Sequence, residues 1–130
     1  MPEEITEPTI PDNSILKTVK QDLGISEWDD AFDKTIIREI NTAFMILNQL
    51  GVGPGIGFAI TGPTETWDDY NSDGRDISYI DEADIEGVKT YVYKKVKLSF
   101  DPSQSSYVNE SDKEIVAELE WRLNVAVDPG

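Results

Sequence analysis

The feature that most constrains the fold is a run of apolar residues between Asp30 and Gly51. Phe32, Ile36, Ile37, Ile40, Ala43, Phe44, Leu47 and Leu50 recur at intervals of three to four residues, the spacing that lines up side chains on one face of an α-helix. An acidic first turn suits the positive end of the helix dipole, and Gly51 stops the run. The spacing predicts a helix of about 20 residues. Its second half, Ala43-Phe44-Met45-Ile46-Leu47, is apolar on more than one side. Phe44 and Leu47 fit a stripe facing one core, whereas Met45 and Ile46 point away from it. That turn is therefore expected to be covered twice, the second time by another subunit.

Three further helices follow from the same logic. Ile15, Leu16, Val19 and Leu23 share a face, with Asp12 or Ser14 as cap and Gly24 at the C′ position. Asp81, Glu82 and Asp84 lead a helix whose apolar face is Ile85, Val88, Tyr91, Val92 and Val96, and Asp101-Pro102 ends it. Gly87 inside it costs about 1 kcal/mol relative to alanine, which is tolerable where a neighbour packs closely. After a linker over Ser103 to Asn109, Ser111 and Glu114 form a capping box for a last helix with Ile115, Leu119 and Leu123 on one face, widened by Val116 and Trp121. Val125 to Gly130 are expected to fray. The fold expected is mainly α: a small four-helix bundle with a long loop or β-hairpin excursion between the second and third helices. Phe58-Ala59-Ile60 and Thr64 to Trp67 are the candidate arms of the hairpin. The expected boundaries are a flexible acidic tail over 1–13, with prolines at 2, 8 and 11, one helical domain over 14–125, and a C-terminal tail over 126–130.

Composition matters most for what it removes. There is no histidine and no cysteine among the 130 residues, which takes away the usual proton shuttle, the strongest nucleophile, and zinc sites built on either residue. Ser103, Ser105 and Ser106 have no histidine or apparent lysine partner. Of the 26 acids only Glu118 and Glu120 stand apart, by their place beside the apolar Trp121, where a solvated helix face is the plainer reading. No catalytic set and no cofactor are expected. Nor does any apolar run approach the ~20 residues of a membrane span.

The glycines from Gly51 to Gly57 follow a helix and lack the lysine of a phosphate loop, so they read as a helix stop and a turn. Asp69-Tyr70-Asn71-Ser72-Asp73-Gly74 matches the first half of a calcium loop, in which alternating oxygens converge around a glycine turn. Its twelfth place is Ile80, with Asp81 one residue late. Asp69, Asn71, Asp73 and Asp81 are the ligands a calcium-dependent binding module would use, and an acidic surface loop is the plainer alternative.

The net charge of -15 is uneven. Glu65 to Glu86 holds nine acids and one base, and a further four acids sit in the first 13 residues. Such a field opposes any grip on nucleic acid. Lys89, Lys94, Lys95 and Lys97 form the one basic cluster. It either screens acids of its own domain or docks on the acidic loop of a neighbouring copy, a head-to-tail contact of the kind that closes into rings.

Several blocks resemble one family. Ala43-Phe44-Met45-Ile46-Leu47-Asn48-Gln49-Leu50-Gly51-Val52-Gly53, Thr66-Trp67, Val88-Lys89-Thr90-Tyr91-Val92-Tyr93, Phe100-Asp101-Pro102 and Glu118-Leu119-Glu120-Trp121-Arg122-Leu123-Asn124 are similar, in order, to the head-tail connector (head-completion, adaptor) proteins of tailed bacteriophages. The likeness runs from about Ser14 to Val125. It implies a structural virion protein without enzymatic activity: a helical subunit of a ring, usually twelvefold, that docks beneath the portal, extends the DNA channel and receives a stopper or tail-completion protein. DNA would pass through the lumen without specific binding. The protein would act at the head–tail interface of the virion and be assembled in the host cytoplasm. The acidic extension over 1–13 and the Asp69–Gly74 loop depart from the pattern. Met45, Ile46, Tyr91, Tyr93, Lys94, Lys95 and Lys97 are the candidate subunit contacts.

Overall fold

A computed structural model describes residues 10–54, 57–72 and 80–127. Among these, the helices in chain order are α1 (Ile15–Leu23), α2 (Asp33–Gln49), α3 (Trp67–Ser72), α4 (Glu82–Phe100) and α5 (Ser106–Val127). The mainly helical fold expected from the sequence is the one observed, with a short extra helix in the excursion.

Local signals set the first helix. Ser14 is its N-cap, with Oγ accepting from the Lys17 amide at 3.1 Å, and Gly24 closes it in the left-handed region at φ 81°. α2 starts three residues after Asp30 because residues 26–33 turn first. The Asp29 amide donates to the Ser26 carbonyl and that of Asp33 to the Asp30 carbonyl. The buried Lys20 of α1 pins these turns, donating from Nζ to the carbonyls of Asp29 (2.8 Å) and Glu27 (3.3 Å) and lying 2.7 Å from the Asp33 carboxylate.

The hairpin is not formed: the described residues contain no strand, and the bridge between Ser14 and Thr66 is isolated. Its second arm is interrupted by a reciprocal cap. The Asp69 amide donates to Thr66 Oγ1 and the Thr66 amide to Asp69 Oδ2, both at 3.0 Å, which starts α3 where a strand was expected. Ile60, on the other arm, finds its backbone partners in the Asn41 side chain of α2 instead of a strand.

The excursion returns to the core through aromatic rings. Tyr70 stacks on Phe44 at 4.7 Å, while Phe58 and Trp67 meet both rings edge-on. Trp67 also donates from Nε1 to Thr18 Oγ1 at 2.9 Å. These contacts bury the apolar faces of α1, α2 and α3 together with Val88, Val92 and Val96 of α4.

α4 is the central helix, packing on α1, α2 and α5. Its glycine, Gly87, turns toward α5: a Cβ built there would meet Leu123 at 3.6 Å and Leu119 at 3.7 Å. α5 begins five residues before the expected Ser111 capping box. Ser105 is the acceptor that starts it, taking the Val108 amide on Oγ and the Asn109 amide on its carbonyl. Asn109 ties the linker down through both backbone groups of Ser103. At the other end the helix continues to Val127 instead of fraying from Val125.

Candidate subunit-docking surface

The candidate contact residues separate into three groups. Met45 is exposed on the outer side of α2, beside Lys34, Ile37 and Arg38, along a shallow groove. Ile46 is half-buried against the core on the other flank of the same helix. Tyr91 is a correction: at 0% exposure it is inside the subunit. Its hydroxyl reaches across to α5 and donates to Glu120 at 2.8 Å. Burial, and then the Glu120 carboxylate, hold that phenol far above its ordinary value.

Lys94 and Lys97 are committed within the chain. Each places Nζ 2.9 Å from Asp112 of α5, a carboxylate that is 3% exposed. Hydrogen bonds from the two ammonium groups hold the Asp112 carboxyl below its usual value, and the bond to Asp112 raises Lys97. Of the two uses open to the basic cluster, screening an acid of its own domain is the one these lysines perform. Tyr93 is half-buried with Lys94 Nζ 5.6 Å from its ring centre, and Lys95 is half-buried. Sequence patterning did not single out Asp112, because nothing local distinguishes it from the other acids, and it marked Glu120 only for its place beside Trp121.

Of the calcium candidates, the three described ones occupy separate settings. Asp69 caps α3, and Asn71 bonds both backbone groups of Ile80 at 2.8 and 3.0 Å. Asp81 is the exposed residue preceding α4, and Asp73 lies outside the described residues. Among the described residues no three acids gather as a metal site would require. A groove between α3 and α4 carries Asp68, Asp81 and Glu86, all three exposed. That is an environment for solvated charge and not for a tuned acid–base pair.

The subunit also exposes large apolar side chains. Trp28 is 77% exposed in the loop before α2, and Phe32 is half-exposed, edge-on to Phe100. On α5, Val116 and Leu123 face inward while Tyr107, Ile115, Trp121 and Val125 are exposed, Trp121 at 64%. Tyr107, Trp121 and Val125 fall on one outer line of the helix, interleaved with Glu110, Glu114 and Glu118. Large apolar side chains thus stand exposed on two helices of a strongly charged protein.

A family model described as phage connector protein matches residues 15–130. The chain belongs to the phage connector protein family. No curated protein and no solved structure matches it. The match spans all the helices of this connector, which gives it a structural role in the phage. Among the described residues no helix is long and apolar enough to cross a membrane.

Proposed function

We propose that this connector is the repeating subunit of a ring, twelvefold by the family's habit, that docks beneath the portal, extends the DNA channel and receives a stopper or tail-completion protein. Its place is the head–tail interface of the virion, reached by assembly in the host cytoplasm. It performs no enzymatic reaction in this reading. The observation that carries it is the presence of uncovered apolar side chains on two separate helices, Met45 on α2 and Trp121 with Val125 on α5. A ring subunit has a neighbour on each side and needs two such faces.

The charge supports the conduit. Carried on a dozen copies, -15 per subunit sets up a strong negative field that keeps DNA from adhering as it passes. Native mass spectrometry or light scattering of the chain, alone and with the portal protein, tests the assembly. A ring in either condition is the expected result, and a monomer in both overturns it.

A further inference from the structure

Resting on the ring reading, we infer which two surfaces meet between neighbouring subunits: the outer strip of α2 on one copy and the outer face of α5 on the next. The α2 strip consists of Lys34, Ile37, Arg38 and Met45, which line one groove. Lys34, Arg38 and Met45 are exposed. The strip holds two bases and no acid, since Glu39 falls on the other flank of the helix. Among the described residues neither Lys34 nor Arg38 has an ion-pair partner. In a chain with 11 bases against 26 acids, two adjacent unpaired bases beside an exposed methionine form an unusual patch.

The outer face of α5 complements it in both charge and shape. Glu110, Glu114 and Glu118 recur every four residues along it, and Trp121 and Val125 extend the same line with exposed apolar surface. Glu110 and Glu118 bond only to exposed neighbours on their own helix, Lys113 and Arg122, pairs that are weak and easily exchanged. In parallel orientation such a helix pair sets Lys34 and Arg38 against Glu114 and Glu118 and Met45 against Val125, whereas in antiparallel orientation Met45 would meet the exposed Tyr107. α2 and α5 both flank α4, so each subunit offers one face of each kind. The contact is heterologous, as ring closure requires.

Size sets its strength. α5 is 22 residues long, about 33 Å, and α2 is 17 residues long, about 25 Å. One such helix pair covers well below the ~800 Å² per partner of a stable interface. The free chain is therefore expected to self-associate weakly, and a template holding copies side by side would drive closure.

The absence of cysteine makes the contact directly testable, because an introduced thiol is the only one. Full-length Arg38→Cys and Glu118→Cys chains, mixed and assembled on the portal, should be joined by a short bismaleimide far more efficiently together than either chain with itself. Lys34→Glu with Arg38→Glu should reduce assembly at least tenfold, as should Glu114→Lys with Glu118→Lys. Mixing the two charge-reversed chains should restore mixed pairs, while circular dichroism shows each still folded. If rings form but cross-links join like sites, or charge reversal leaves assembly intact, the pairing is wrong and the ring stands. If wild-type chain is monomeric alone and with the portal, the ring reading falls and takes the pairing with it.

Discussion

The phenolic oxygen of Tyr70 lies 2.6 Å from the position a Cβ on Gly53 would occupy. Gly53 also holds φ at 91°, a conformation that side chains with a Cβ seldom adopt. Gly53→Ala is therefore expected to destabilise the fold by about 2 kcal/mol or more, through overpacking and backbone strain together. Tyr70→Phe should act oppositely. It removes a buried hydroxyl without a partner among the described residues and should leave stability within about 1 kcal/mol of wild type or above it. Urea unfolding of the two variants checks the contrast.

Gly87 predicts the reverse of Gly53. Its helix geometry is ordinary, and the added methyl would sit at van der Waals distance from Leu119 and Leu123. Gly87→Ala should raise stability by about 0.5–1 kcal/mol through helix propensity. A lower melting temperature would contradict the packing described between α4 and α5.

Asp112→Ala leaves Lys94 and Lys97 facing each other without their shared anion and should cost about 2–3 kcal/mol. Either lysine replaced by methionine should cost less, because the other still neutralises the carboxylate. The sign with pH follows from the lowered carboxyl. Its contribution is present in full above the unfolded value of 3.8 and is lost as pH falls through the lower folded value. The stability gap between wild type and Asp112→Asn should accordingly be constant near neutrality and shrink in that acid range, as paired denaturant curves would reveal.

Lys20→Met removes the ammonium that holds the carbonyls of Glu27 and Asp29 and leaves Asp33 without its counter-charge. A loss of about 2–4 kcal/mol is expected. Hydrogen exchange should rise first in residues 25–33, and a uniform rise across the chain would argue against this local role.

Calcium should do nothing measurable. Asp69 and Asn71 already bond to backbone that holds α3 and Ile80 in place. Thermal unfolding with millimolar calcium should overlay the curve with chelator, and a shift lost on Asp73→Ala would instead point to a metal-ordered loop.

Where the controlling interaction is local, the sequence reveals it. Ser14 and Gly24 bound α1, and Asp101-Pro102 ends α4, because a cap or a proline acts within one turn. The sequence does not reveal the start of α5, because Ser111 and Glu114 satisfy the same pattern as a true cap. The choice went to Ser105 through the link between Asn109 and Ser103. Thr66 and Asp69 are a legible helix start that the surrounding acids obscure. Tyr91 is legible on the apolar face of α4, but the partner of its hydroxyl is not, since Glu120 is 29 positions away. The same holds for Lys94 and Lys97, which look like a surface patch until α5 brings Asp112 beneath them. The two faces proposed for docking are half visible: Met45 stands out from the apolar run, whereas the outer line of α5 emerges only once its inner face is known.

The attachment of α5 has a mechanical consequence. Val116, Leu123 and the partly buried Leu119 are its inward aliphatics, and polar contacts through Asp112 and Glu120 complete its hold on α4. The aromatic cluster that closes the remainder of the molecule includes no residue of α5. The final helix is thus a clasp laid over α4 and latched to the end of α2 by Asn124, outside the aromatic seal of the body behind it.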